Sequence, residues 1–413
     1  MVDPVHQQYE ALPYPPRDPR DEAKRLVTGS PSRLIELNHY VFGGRRDFAQ
    51  PFRALVAGGG TGDAAIMLAQ QLADIGAKAE VVYLDWSAAA RQVVEARAAT
   101  RKLTNLHFVT GSLLDMSTLD LGRFDYIDCC GVLHHLAEPA AGLAALTSVL
   151  NPGGGLGLML YGRIGRRGVY ETQAMLRSLI GSETNVGTQL TVAKKLLSQM
   201  PATSWLKRNP FVADHITEGD SGIYDLLLHA RDRAYDVVEV AALVAGAGLR
   251  LVEFVPAARY RPETYLSDAT LLRRLEALPA VERAAFAENL AGNLKVHVFY
   301  AVKADNPVNP PASDDRTLVP VLCELDAREL AAKLKPAGVL STSLEGFQAK
   351  LPLPPLAPAI AGLIDGKRTL GEIHAALQAK RADLSWDDFA AQFGVFFKAF
   401  NGIARLMLRH QPG

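Results

Sequence analysis

Residues 54–63 read Ala54-Leu-Val-Ala-Gly-Gly-Gly-Thr-Gly-Asp63. An apolar run meets a glycine-rich turn, and a helix-like stretch follows from Asp63 to Leu72. The next apolar run ends at Asp85, about twenty residues beyond the turn, where nucleotide-binding α/β folds place an acid for a ribose. Glycine suits such a turn because the backbone bends tightly and comes close to a ligand, which a Cβ would prevent. The stretch therefore implies a site for a nucleoside-containing cofactor.

Outward from this turn, strands and helices alternate. Strands are expected at 53–57, 79–84, 106–109, 124–130, 156–161, 249–255 and 295–303, with helices near 32–43, 63–75, 87–100, 139–150 and 236–247. This pattern predicts a doubly wound α/β fold with a mostly parallel, seven-stranded sheet. The last segment, Lys295-Val-His-Val-Phe-Tyr-Ala-Val-Lys303, alternates as an edge or antiparallel strand does. Asn151-Pro-Gly-Gly-Gly155 reads as a strong breaker. Two mostly helical insertions, at about 163–235 and 258–294, follow carboxyl ends of strands. Open α/β sheets bind ligands at that edge, so both insertions are expected to serve as lids and substrate walls.

The chain has 413 residues, which suits two or three domains. The expected division is an N-terminal arm at 1–35, a main domain at 36–303, a linker at 304–316 and an accessory module at 317–413. The arm is rich in proline and charge, with Tyr9 and Tyr14, and is either a disordered leader or an extended arm. Lys plus Arg and Asp plus Glu each number 44, so there is no basic excess to mark nucleic acid or an anionic membrane as a partner. The three cysteines, Cys129, Cys130 and Cys323, have neither disulfide nor zinc spacing and suit a reducing compartment. With no signal-peptide pattern and no long apolar run, a soluble, cytoplasmic protein without a metal is expected.

The cofactor is narrowed by spacing. The G-x-G-x-x-G fingerprint fails, because starting from Gly58 the third glycine position holds Asp63, and starting from Gly59 the second holds Thr61. What stands is Gly58-x-Gly60-x-Gly62. Three further segments are Phe108-Val-Thr-Gly-Ser-Leu-Leu-Asp115, Phe124-Asp-Tyr-Ile-Asp-Cys-Cys-Gly-Val-Leu-His-His-Leu136 and Leu150-Asn-Pro-Gly-Gly-Gly-Leu-Gly157. In order and spacing, the four resemble the motifs of class I S-adenosylmethionine-dependent methyltransferases over roughly residues 36–303.

That resemblance implies S-adenosyl-L-methionine as cofactor and a methyl acceptor as partner. It implies that Gly58, Gly59, Gly60 and Gly62 admit the methionine part, and that the helix starting at Asp63 offers its N-terminus to the carboxylate. Asp85, beside Trp86, would hold the ribose hydroxyls. Ser112 and Leu113 would lie along the adenine, and Cys129 and Gly131 beneath the methionine. Two positions depart from the family: Val56 stands where most relatives carry an acid, and Ser112 where they often carry Asp. Asp63 is the nearest compensating acid. Apart from the resemblance, Asp85 also reads as an N-cap for the helix at 87–100.

A methyl-accepting amine or hydroxyl needs to lose a proton, and a histidine suits that task. The resemblance puts His134 and His135 beside the methyl; the alternative is packing beneath the next helix. Tyr161 and Arg163 leave the fifth strand at the ligand edge, and Arg163, Arg166 and Arg167 form either an anion site or a solvated basic turn. If 224–236 is helical, Asp225, His229 and Asp232 share one face as a catalytic pair, a substrate clamp or, less favoured, a metal site. Tyr14 is a candidate to close over the cofactor.

The last hundred or so residues open helices with Thr369-x-x-Glu372 and Ser385-x-x-Asp388. Residues 356–373 weakly resemble winged-helix modules attached to some bacterial protein or peptide methyltransferases. The stripe Phe389, Phe393, Phe396, Phe397 and Phe400 reads as core, a homodimer face or a docking face. The favoured acceptor is a protein or peptide amine, with a small molecule as alternative. A non-catalytic S-adenosylmethionine-binding scaffold and a nicotinamide oxidoreductase are the competing classes.

Overall fold

Seven apolar segments pair into one sheet: β1 (Phe52–Ala57), β2 (Ala79–Asp85), β3 (Leu106–Thr110), β4 (Phe124–Cys130), β5 (Leu150–Tyr161), β6 (Leu249–Phe254) and β7 (Val296–Lys303). The structure is a computed structural model and describes residues 5, 10, 13–29 and 31–411, so Tyr9 lies outside the described residues. The strand order is β3-β2-β1-β4-β5-β7-β6. Six strands run parallel. β7 is antiparallel to both neighbours, inserted between β5 and β6 and not at an edge. The expected breaker at Asn151–Gly155 does not delay β5. The strand starts at Leu150, and the extra residues form a bulge between the pairs Phe124–Leu150 and Tyr126–Gly155.

Alternate residues of each central strand feed opposite cores. Leu55, Ala57, Ile127 and Cys129 pack on one face, whereas Ala54, Val56 and Tyr126 pack on the other. Helices α1 (Leu34–Tyr40), α2 (Asp63–Asp74) and α3 (Ala88–Arg101) supply the second face, and α4 (Pro139–Ser148) the first.

The first insertion contains α5 (Val169–Ile180), α6 (Val186–Gln199), α7 (Trp205–Arg208), α8 (Asp214–Thr217) and α9 (Gly219–Leu227). It has a small core of its own that includes Val169, Leu176, Ala193 and Leu226. The chain returns through α10 (Val237–Gly246) to β6. The second insertion forms α11 (Ala269–Glu276) and α12 (Ala280–Ala291). It was expected at the ligand edge, but Ala284 packs into the first sheet core, and buried Glu288 accepts a hydrogen bond from Val237 N at 2.9 Å. It covers the sheet because its apolar residues face α10.

Residues 318–408 carry a separate apolar core. It is built from α13 (Ala327–Lys333), α14 (Ala357–Leu363), α15 (Leu370–Gln378) and α16 (Trp386–Gly402), with two strand pairs, β8 (Val319–Leu322) with β11 (Leu406–Arg409) and β9 (Val339–Leu344) with β10 (Phe347–Pro352). Phe389, Phe393, Phe396 and Phe400 are buried within it, which makes the stripe a core and not an exposed face. Contacts to the main sheet pass through α1: Asn401 Nδ2 donates to Tyr40 Oη at 3.0 Å, and Tyr40 stacks on Tyr300.

The described part of the N-terminal arm lies over the glycine turn. Buried Arg97 on α3 donates to Glu22 Oε1 at 2.6 and 2.9 Å, to Thr61 O at 2.6 Å and to Asp63 Oδ1 at 2.7 Å. Arg101 also reaches Glu22. Arg17 donates to both oxygens of Asp63, and Thr61 Oγ1 donates to Pro15 O at 2.7 Å. Removing one partner of a buried ion pair leaves the other charge uncompensated. Glu22→Ala is expected to lower unfolding free energy by about 3 kcal/mol in urea and to expose residues 13–29 to protease. An unchanged urea midpoint and cleavage pattern would contradict this anchoring.

Candidate functional site

The chain order reverses between β1 and β4, which leaves a crevice at their carboxyl ends. A cavity of about 370 Å³ occupies it. From the sequence-predicted residues it gathers Tyr14, Gly58, Gly59, Gly60, Asp63, Asp85, Trp86, Ser112, Leu113, Gly131, His135, Tyr161 and Asp225. Gly62, Cys129, His134, His229, Arg163 and Asp232 do not line it.

The turn is held by the Asp85 carboxylate. Asp85 Oδ2 accepts from Gly60 N, and Oδ1 from Ser87 N, both at 2.8 Å. Burial raises the Asp85 carboxyl, and the backbone N–H groups partly oppose that rise. Asp85 does not cap α3: Ser87 does, accepting from Ala90 N at 3.1 Å. At Gly58, φ is +70°, and a Cβ would come within 2.4 Å of Val132. Gly62 serves packing, since a Cβ there would come within 2.2 Å of Val94 on α3. Asp63 lines the cavity, but its carboxylate is engaged by Arg17 and Arg97; burial would raise its pKa, and these two arginines bring it below the ordinary value. Ser112 Oγ caps the short turn at Leu113–Asp115.

On β4 the strand alternation turns the Cys129 side chain into the core, where burial raises its thiol. Its neighbours Asp128 and Cys130 line the cavity instead, together with Val56, Val132 and Met159; of these only Val56 was marked in the sequence, as the family's acid position. Period-two alternation along β4 was the signal that separates Cys129 from both neighbours.

The condition that 224–236 be helical is met only as far as Leu227. Beyond it the backbone is drawn to the sheet edge. Arg233 N donates to His134 O at 3.0 Å, and Tyr235 N to Tyr161 O at 2.8 Å. Asp225, His229 and Asp232 therefore do not share a helix face. Asp225 reaches the cavity, His229 stacks on His135 at 3.9 Å, and Asp232 pairs with buried Arg166 at 3.4 Å. Arg166 also lies over the Tyr161 ring, and Arg167 over Trp205. Arg163 turns outward to Asp236 and Glu239 at the start of α10. The three arginines thus hold protein partners and form no open anion site.

His134 is fully buried and stacks on Tyr161 at 3.8 Å, away from the cavity. His135 Nδ1 lies 2.9 Å from Arg231 O, so Nδ1 carries the proton and Nε2 the lone pair. Burial lowers all three histidines, His135 to about 4 and His134 and His229 well below the ordinary value.

The comparisons with known proteins fit this geometry. Residues 55–156 match the sequence profile described as a methyltransferase domain. An uncharacterised protein of Synechococcus sp. is 29% identical over 316 residues, covering 75% of this chain and 74% of that protein. PKMT2 from Rickettsia typhi, solved in complex with AdoHcy, superposes with a TM-score of 0.63 over 96% of this chain and 77% of that one, at 16% identity. A second structure of PKMT2 gives 0.61 over 97% and 78%, also at 16% identity. Residues 55–156 are thus similar to methyltransferase domains, and the sheet has the fold of class I, S-adenosylmethionine-dependent methyltransferases. The mostly parallel seven-stranded sheet with an antiparallel last strand is the architecture the motifs implied.

The methyltransferase cavity fits that cofactor on its own residues. Gly58, Gly59 and Gly60 line the cavity, Cβ atoms at the first two would strike Val132 and Tyr83, and the N-terminus of α2 lies beside the turn. Asp85 offers a buried carboxylate for ribose hydroxyls. The remaining wall is largely apolar, with Leu113, Leu136 and Met159. Among the described residues, no helix is long and apolar enough to cross a membrane.

The histidine cluster makes stability depend on pH. The unfolded chain binds protons as pH falls through about 6.5. Folded His135 does so only near 4. In that window the unfolded state holds more protons, so stability is full above it and falls as pH falls, by up to about 1.4 kcal/mol per pH unit for each such histidine. Urea unfolding between pH 7.5 and 5 should show this loss, and His135→Gln should flatten the slope. An identical slope in the variant would contradict the neutral, buried state of His135.

Proposed function

We propose that this enzyme methylates an amine, carried by a protein or peptide. The observation that carries this reading is the side of the cavity built by Tyr14, Tyr161, His135 and Asp225. Tyr14 Oη donates to Glu218 Oε2 at 2.9 Å. Burial raises the Tyr14 phenol, and the charges of Asp225, Glu218 and Asp214 raise it further, so these carboxylates act on one spot. Carboxylates beside aromatic rings attract an alkylammonium group and disfavour an anionic acceptor.

Bound S-adenosylmethionine supplies a sulfonium methyl. Asp225 attracts the acceptor ammonium and positions its nitrogen. The ammonium proton leaves to solvent before that nitrogen attacks, and His135, which burial keeps neutral, adds no positive charge against the incoming acceptor. Tyr14 and Tyr161 flank the channel and exclude water. The residue-318–408 module supports a polypeptide acceptor through the weak resemblance of residues 356–373 to modules attached to some bacterial protein or peptide methyltransferases.

Incubation of the enzyme with methyl-labelled cofactor and a fractionated proteome should place acid-stable label in protein-derived amino acids. Asp225→Asn should lower kcat/KM for that acceptor by about 100-fold. Label confined to small molecules, or released by mild base as from an ester, would overturn the proposal.

A further inference from the structure

The position two residues before Gly58 is Val56, where the resemblance to class I methyltransferases implies an acid. The register of the sheet sets Asp128 of β4 directly beside it. Paired residues on parallel neighbours face the same side, and Ala54, Val56 and Tyr126 all face the second core. Val56 and Asp128 both line the cavity, and each is only 1% exposed. Asp128 stands two residues before Cys130 and three before Gly131, both of which line the cavity as well.

We propose that Asp128 binds the ammonium group of the cofactor's methionine part, the carboxylate having moved from β1 to the adjacent position on β4. The assignment rests on S-adenosylmethionine as cofactor and is independent of the acceptor. Three observations support it. A carboxylate at a buried cavity wall favours a cation beside it. Ser32 Oγ donates to Asp128 Oδ2 at 2.6 Å and fixes the carboxylate plane. Of the other acids near the turn, Asp63 is engaged by Arg17 and Arg97, and Asp85 accepts from Gly60 N and Ser87 N. Ser32 immediately precedes the chain leading to α1, and Thr28 and Gly29 of the same segment also line the cavity. The proposed site is therefore built from β4 and the N-terminal segment together.

The test separates the amino-acid end of the cofactor from its nucleoside end. Calorimetry is run with S-adenosylmethionine, S-adenosylhomocysteine and 5′-methylthioadenosine, which lacks the amino-acid portion. Asp128→Asn should weaken the first two by about 10- to 100-fold and leave the third unchanged, the range expected for a charged hydrogen bond. The double variant Val56→Asp/Asp128→Val should recover S-adenosylmethionine binding to within about threefold of wild type. Thermal melts of each variant monitor folding. Unchanged S-adenosylmethionine affinity in Asp128→Asn would overturn the assignment, as would equal loss of all three ligands. Wild-type protein that binds none of the three would overturn the cofactor reading beneath it.

Discussion

Arg97 is the fixed point on which the cofactor end of this fold depends. Its guanidinium is fully buried and joins four separate pieces of chain: α3 itself, the Thr61 carbonyl in the glycine turn, Asp63 at the start of α2, and Glu22 in the N-terminal arm. A buried cation is tolerable only when its donors are satisfied, so these four pieces are held together or not at all. The planar fork of arginine matches that demand. One consequence is that Asp63, although it lines the cavity, is held by the two arginines Arg17 and Arg97.

The site follows from this frame and from the sheet. Parallel strands bring β1, β2 and β4 to one edge, and the reversal between β1 and β4 opens the crevice. Asp85 then fixes the turn by accepting from Gly60 N. The first insertion closes the acceptor side through Asp225 and the Tyr14–Glu218 contact. Behind it, Tyr161, His134, His135, His229 and Arg166 stack into a rigid wall that burial keeps uncharged except at Arg166. Two insertions that look alike in sequence thus take different work. The first borders the cavity, and the second covers the sheet and meets the C-terminal module through Arg259 and Glu345.

Much of this was legible in the sequence because the deciding features are local. Glycine spacing, apolar periodicity and capping boxes depend on neighbours within a few residues, and they located β1–β4, α2, α3 and the capping pair Thr369–Glu372. The bulge at Asn151–Gly155 was misread because partners on β4 and β7 outweigh the local turn preference of Pro-Gly-Gly-Gly. Whether the helix continued past Leu227 was open in the sequence, because the hydrogen bonds of that segment go to residues about a hundred and about seventy positions away, His134 and Tyr161. Asp128 passed unnoticed for a similar reason. Its place beside Val56 is a property of sheet register, which no single segment contains. The partners of Arg163 and Arg166 are likewise distant in the chain.

The central claim is that the crevice between β1 and β4 takes S-adenosylmethionine. The most direct measurement is equilibrium titration of the intact chain with S-adenosylmethionine and, in parallel, with NADH and NADPH. The account predicts saturable one-to-one binding of S-adenosylmethionine, displaced by S-adenosylhomocysteine, and no binding of either nicotinamide. Binding of a nicotinamide in its place, or of no nucleoside ligand at all, would contradict it.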